Sequence, residues 1–241
     1  MTSPTVENYV KAIYQLTGDE AEQTASTGAV AAALRVSPSS VTSMLKTLHE
    51  SGLAEHRPYE GVRLTDQGTR LALRVVRRHR LIELFLVQTL SLTWDEVHEE
   101  AEHMEHAVSD LLVDRIDEFL GRPELDPHGD PIPRSDGSIA IQKQTPLSQC
   151  KVGSRVILQR VLDQNPEFLR FLTEGKLEIG ACLTITRCEP TAGFITVTCQ
   201  ERETTLSHEA ARALMTQTPG STEPNIRPTS AEGLGSKAAR S

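Results

Sequence analysis

SPSSVTSMLKTLHESGLAEHRPYEGVRLT, Ser37–Thr65, decides how the first third of this chain is read. Ser37 followed by Pro38 is a helix start. The serine oxygen can cap an orphan N–H, and proline at the first helical position gives up an N–H that had no partner anyway. Val41, Met44, Leu45 and Leu48 then recur at helical spacing, and Gly52 ends the run. Upstream, Thr27 to Leu34 (TGAVAAAL) reads as a short helix capped by Ser26 or Thr27, leaving Arg35-Val36 as a tight turn. Two short helices across such a turn predict a helix-turn-helix. Downstream, β-type runs flank Tyr59-Glu60-Gly61, a hairpin where a wing belongs.

Outward from this core, VENYVKAIYQL from Val6 to Leu16 repeats apolar residues at helical spacing. A long helix is predicted from Gly68 to about Leu90, with Arg70, Arg74, Arg77, Arg78 and Arg80 on its surface. Thr93-Trp94-Asp95-Glu96 resembles a capping box, and the helix it opens is expected to continue to about Leu120. After residue 120 the texture changes to Pro, Gly and Asp. The runs VGSRVILQRV, KLEIGACLTITRC and FITVTCQ, with a helical insert NPEFLRFLTEG, predict a small all-β SH3-like barrel.

The expected architecture is therefore mainly α over the N-terminal two-thirds, a winged helix-turn-helix plus a second helical domain, followed by the barrel. Boundaries fall at 1–70, 71–134, a linker at 135–148, the barrel at 149–217, and a polar tail at 218–241 expected to be disordered.

The chain has 241 residues, of which 38% are apolar, enough for two or three small cores. The start shows no cationic leader before an apolar run, and LIELFLVQTL is too short to span a bilayer. A cytoplasmic location without membrane contact is expected. Four cysteines without CxxC spacing read as reduced, small apolar residues. The net charge of −8 is unevenly placed: residues 81–130 hold two Lys/Arg against fourteen Asp/Glu, residues 1–80 ten against eight. A nearly neutral first third leaves room for a DNA-facing patch.

The acidic segment contains VHEEAEHMEHAVSD, Val97 to Asp110. Like charges three and four residues apart destabilise a helix by a few tenths of a kcal/mol, about 0.2–0.5 per pair, so their crowding asks for a cation. At 100° per residue, Ala101, Met104, Val108 and Leu111 form the expected core-facing stripe. His98, Glu102, Glu105 and His106 line its shoulder, and Glu102, Glu105 and His106 are close enough to share one ion. His79 and Glu83 on the preceding helix form a second group that His98 can join. Glu96, Glu99 and Glu100 read as solvated charge. A metallohydrolase is the competing reading, but His98-Glu99-Glu100-Ala101-Glu102 lacks the second histidine of an H-E-x-x-H motif, so no enzyme is expected.

A winged helix-turn-helix joined to His79-Arg80-Leu81-Ile82-Glu83 and to Val97-His98-x-Glu100-Ala101-x-x-x-Glu105-His106 resembles the diphtheria-toxin-repressor family. The resemblance covers about residues 5–135, more loosely to about 215. It implies a homodimeric, metal-activated transcriptional repressor that binds double-stranded operator DNA and controls metal-uptake genes. It implies a primary site of Asn8, Glu102, Glu105 and His106, and an ancillary site of His79, Glu83 and His98 supplemented by Gln164 and Glu167. Glu102 resembles the manganese-responsive branch, but that branch has Asp at the position of Asn8 and a second Glu at that of Lys11. The implied ion is Mn²⁺, alternatively Fe²⁺ in an iron-dependent regulator of the same fold, at one or two ions per subunit. DNA contacts are expected from Ser37, Pro38, Ser39, Ser40, Thr42 and Ser43 at the start of the reading helix, with Lys46, Arg57, Tyr59 and Arg63 on the backbone.

Overall fold

Ser3 opens the first helix by accepting the Val6 N–H, with Pro4 in the first turn, and α1 runs Pro4–Thr17. The computed structural model describes residues 3–18, 23–57, 60–141, 143–220 and 225–227. Two units make up the chain, 1–123 and 124–241.

In the first unit, α2 (Thr27–Leu34) is capped by Ser26, and α3 (Pro38–Glu50) by Ser37, whose Oγ accepts the Ser40 N–H. Arg35 takes a left-handed φ of 53° at the end of α2, turning the chain tightly into α3. β1 (Ala54–Arg57) and β2 (Gly61–Leu64) pair antiparallel, and Ala25 bridges to Val62 from the other side. Tyr9, Val10, Ile13, Val30, Val41, Leu45, Leu48 and Val62 share one core. Truncating a fully buried leucine there, such as Leu45, costs about 2–5 kcal/mol.

Thr65 caps α4 (Asp66–Leu90), the helix that joins this core to the next layer. α5 spans Val97–Met104, and Val97 and Ala101 pack with Ile82 and Leu86 of α4. The expected continuous helix to Leu120 is interrupted. Ser109 is extended and caps Leu112, starting a new helix, α6 (Asp110–Phe119), so residues 105–109 form a turn between the two. The α4 arginines are not simply surface charge either. Arg77 is buried and bonds Asp117 at 2.9 Å, while Arg74 and Arg78 each reach Asp110 at 2.7 Å. Part of the acidity of residues 81–130 thus balances α4.

The first strands of the second unit are β3 (Ile139–Ile141) and β4 (Thr145–Pro146), both inside the stretch expected to be a linker. It continues through β5 (Arg155–Val161), α7 (Pro166–Glu174), β6 (Cys182–Glu189), β7 (Phe194–Cys199), β8 (Arg202–Ser207), α8 (His208–Arg212), β9 (Leu214–Gln217) and β10 (Asn225–Arg227). Six antiparallel strands form its main sheet in the order β4-β9-β5-β6-β7-β8, as the SH3-like reading requires. Register shifts in β5 and β6 bend the strands, as closure of a small barrel needs.

In the fold the loop 124–134 packs with this second unit. His128 is fully buried there, its carbonyl accepts the Val161 N–H, and Arg160 pairs with Asp130. Gly129 is obligatory: its φ is +84°, and a Cβ would lie 1.9 Å from the Gln159 carbonyl oxygen. Of the tail expected to be disordered, β10 pairs with β3, while 221–224 and 228–241 lie outside the described residues. The four cysteines are unbridged.

Candidate metal centre

Three helices converge on one buried polar cluster. α1 presents Glu7, Asn8 and Lys11; α4 presents Arg78, His79 and Glu83; α5 and its terminal turn present His98, Glu102, Glu105 and His106. A buried group this polar persists only if its members satisfy one another or hold an ion.

Around His106 the donors face inward. Nε2 lies 2.6 Å from Asn8 Oδ1 and 3.3 Å from Glu105 Oε1, while Nδ1 lies 2.8 Å from Glu7 Oε2. Glu105 is 0% exposed, and its Oε1 has no hydrogen-bond partner. A buried carboxylate oxygen left without a donor costs on the order of 1–3 kcal/mol, a cost that a cation at that place removes. Glu105 keeps helical backbone and donates its N–H to the Ala101 carbonyl, so helix phase still aims it, while His106 follows in the turn. Of the expected primary residues, the structure thus brings Asn8, Glu105 and His106 together. Glu102 joins Glu105 on the other side, through Lys11.

The second expected group also assembles. His79 Nε2 lies 2.9 Å from Glu83 Oε1, His98 Nδ1 lies 3.4 Å from the same oxygen, and the two rings meet edge to face at 4.9 Å. One ligand atom from each of the three falls within 4.8 Å of the others. Burial alone would push the His79 imidazole down. The Glu83 charge, with hydrogen bonds to Glu105 and Glu83, outweighs this and pushes it up to about 9. Glu105 shows the converse: burial would raise it, yet hydrogen bonds from His79 and Lys11 and their charges hold it below the usual range. Gln164 and Glu167 belong to the second unit, where the Gln164 amide donates to Asp130 and Asn165 caps the Glu167 N–H.

Sequence reasoning missed Glu7 and gave Lys11 no place among the donors. Glu7 bonds His106 and approaches Arg78 at 3.7 Å. Lys11 donates to Glu102 at 2.7 Å and Glu105 at 2.8 Å. The available signal was the four-residue step from Glu7 to Lys11, which puts both on the helix face beside Asn8.

The expected DNA-facing residues of α3 (Ser37, Pro38, Ser39, Ser40, Thr42, Ser43 and Lys46) are all exposed. Ser37 Oγ lies 2.8 Å from both Ser39 Oγ and Ser40 Oγ, and Thr42 donates back to the Pro38 carbonyl. Arg63 grips Glu55 Oε2 through two nitrogens, and Arg57 pairs with Glu60. Tyr59 lies outside the described residues.

A winged helix whose first helix lines a buried pocket of imidazoles and carboxylates defines a metal-dependent transcriptional regulator. Residues 1–62 match the N-terminal DNA-binding domain of iron-dependent repressors, 65–134 their metal-binding and dimerisation domain, and 145–217 the FeoA domain. The chain belongs to the iron-dependent repressor family, which holds both IdeR and MntR proteins and whose members are transcriptional repressors, not enzymes. It is 29% identical over 222 residues to the iron-dependent repressor IdeR of Mycobacterium leprae, covering 87% of this chain and 95% of that one. Against the transcriptional regulator MntR of Oceanobacillus iheyensis it is 34% identical over 120 residues, half of this chain and 80% of the relative. A solved manganese-dependent transcriptional repressor in complex with manganese superposes with a TM-score of 0.81 at 38% identity, covering 88% of this chain and 99% of that one.

Proposed function

We propose that this chain silences transcription by binding operator DNA as a homodimer when loaded with a divalent ion, Mn²⁺ in the first instance. The observation that carries this reading is the meeting of Asn8 Oδ1, His106 Nε2 and the unbonded Glu105 Oε1. Both oxygens lie close enough to the imidazole nitrogen, at 2.6 and 3.3 Å, that the three residues would be able to hold one ion between them. Glu102, held on the far side of Glu105 by Lys11, would have to turn inward to add a further carboxylate. Oxygen donors with a single imidazole suit Mn²⁺ better than thiolate-seeking ions, while the homologous IdeR proteins keep Fe²⁺ as the alternative. The bound ion supplies positive charge shared between α1 and the turn after α5. His79, Glu83 and His98 are assigned a second, supporting ion.

Asn8 belongs to the reading head, and the remaining ligands belong to the helical layer. An ion held by both selects one orientation of the head, and in a two-fold dimer that orientation sets the spacing of the two α3 helices at about 34 Å or a multiple. Leu111, Leu112 and Phe119 on α6 and Leu90 at the end of α4 are exposed, with Phe119 edge-on to Phe85. This apolar strip is the assigned dimer seam. Metal-uptake genes are the proposed targets.

The test is selection of duplex DNA from a random library by the full chain, with Mn²⁺, Fe²⁺ or a chelator present. Retention of one operator-like sequence with metal and none with chelator is expected; equal retention in chelator overturns the reading. Reciprocally, the selected duplex should tighten Mn²⁺ binding by the factor by which Mn²⁺ tightens DNA binding.

A further inference from the structure

Between the two candidate sites lies a third group of donors, and it is already filled. One ligand atom each from His79, Glu102 and Glu105 falls within 4.8 Å of the others, a spacing that one ion could bridge. Lys11 Nζ sits among them, 2.7 Å from Glu102 Oε1, 2.8 Å from Glu105 Oε2 and 3.1 Å from His79 Nδ1, with its side chain 5% exposed.

We propose that Lys11 is a tethered cation that occupies this middle pocket and keeps a divalent ion out of it. The inference rests on the assignment of Glu102 and Glu105 to the primary ion. The Glu105 carboxylate is split between two jobs: Oε2 accepts from the ammonium, and Oε1 faces His106 and has no hydrogen-bond partner. Were the ammonium absent, Glu102 and Glu105 could each bridge two ions, which in paired sites stand about 3.5–4 Å apart. A single charge on a lysine stem relieves the carboxylates with less repulsion toward the neighbouring ion than a second divalent cation brings. It also cannot dissociate into the cell's metal supply. The carboxylate pair is therefore a one-ion site by construction, whatever the concentration of Mn²⁺.

The experiment counts ions. Wild type, Lys11→Gln and Lys11→Arg full chains are dialysed to equilibrium against Mn²⁺, and bound ion is measured together with low-temperature electron paramagnetic resonance. Lys11→Gln is expected to take up one more Mn²⁺ per chain than wild type, with the multiline signal of an exchange-coupled pair. Lys11→Arg, which keeps a cation, should match the wild-type count. An unchanged count in Lys11→Gln overturns the proposal. So does a coupled-pair signal from the wild-type chain, a measurement that needs no variant to fold. If the wild type binds no Mn²⁺ but Lys11→Gln binds one, the primary-site assignment fails while the exclusion by Lys11 stands; if neither binds, both fall.

Discussion

Asn8 and His106 are 98 positions apart in the chain, yet Asn8 Oδ1 lies 2.6 Å from His106 Nε2. One residue sits on the first helix of the DNA-binding domain, the other past the end of α5. Replacing Asn8 by leucine should leave a weakened site of Glu102, Glu105 and His106, with Mn²⁺ affinity down at least tenfold, about 1.4 kcal/mol. DNA binding should at the same time lose its metal dependence, because the ion no longer touches α1. Asn8→Asp should raise Mn²⁺ affinity instead. Titration calorimetry and DNA anisotropy read both effects, and an unchanged Mn²⁺ dissociation constant in Asn8→Leu removes Asn8 from the site.

Glu7 holds the opposite nitrogen of the same ring. By accepting from His106 Nδ1 at 2.8 Å it leaves Nε2 to face Asn8 and Glu105. Such outer carboxylates are worth about 10–100-fold in metal affinity. Glu7→Ala should lose that factor, whereas Glu7→Gln, whose side-chain oxygen still accepts from Nδ1, should recover most of it. Equal losses in the two variants would assign the effect to the negative charge of Glu7 and not to its hydrogen bond with Nδ1.

Asp110 carries the pH dependence of the α4–α6 contact. The hydrogen bond from Arg78, reinforced by Arg74, holds its carboxyl below the ordinary value of 3.8. A carboxylate depressed by folding contributes stability above its unfolded value and loses it as pH falls through the folded one. The side chain is 62% exposed, so solvent screening limits the effect to about 0.5–1 kcal/mol. Urea unfolding of Asp110→Asn should show that deficit at pH 7 and a shrinking one as the pH drops below 4. A deficit independent of pH would contradict the ion pairing.

Gly68 stands where α4 leaves the wing. A Cβ there would fall 1.9 Å from the Leu53 carbonyl oxygen, the same oxygen that accepts the Thr65 N–H. Gly68→Ala forces the backbone apart and should cost about 2–4 kcal/mol. Thermal unfolding that matches wild type would mean the junction can yield.

Much of this was legible in the sequence because its signals are local. Ser37-Pro38 and Thr65 each mark a helix start that the structure confirms by a capping bond, whereas Thr93 and Glu96 bond each other just ahead of α5, whose own start at Val97 carries no side-chain cap. Glu105, His106, His79, Glu83 and His98 stood out by type and spacing alone. What escaped depends on tertiary packing. Arg77 follows an exposed-looking pattern, and only the arrival of Asp117 from α6 makes its burial affordable. Lys11 looks like an ordinary surface lysine of an amphipathic helix until α4 and α5 close over it. The break after Met104 did have a local cue, the Ser109-Asp110 start of α6, which helical periodicity across Val108 and Leu111 masked.

The wing holds a last consequence. Arg63 and Arg57 already carry protein carboxylates, from Glu55 and Glu60. If this face docks on DNA, each phosphate taken up by these guanidinium groups displaces an anion of the protein itself, so fewer small counterions are released than a count of arginines suggests. The slope of binding strength against salt should be correspondingly shallow, and discrimination between sequences passes to the uncharged hydroxyls of α3.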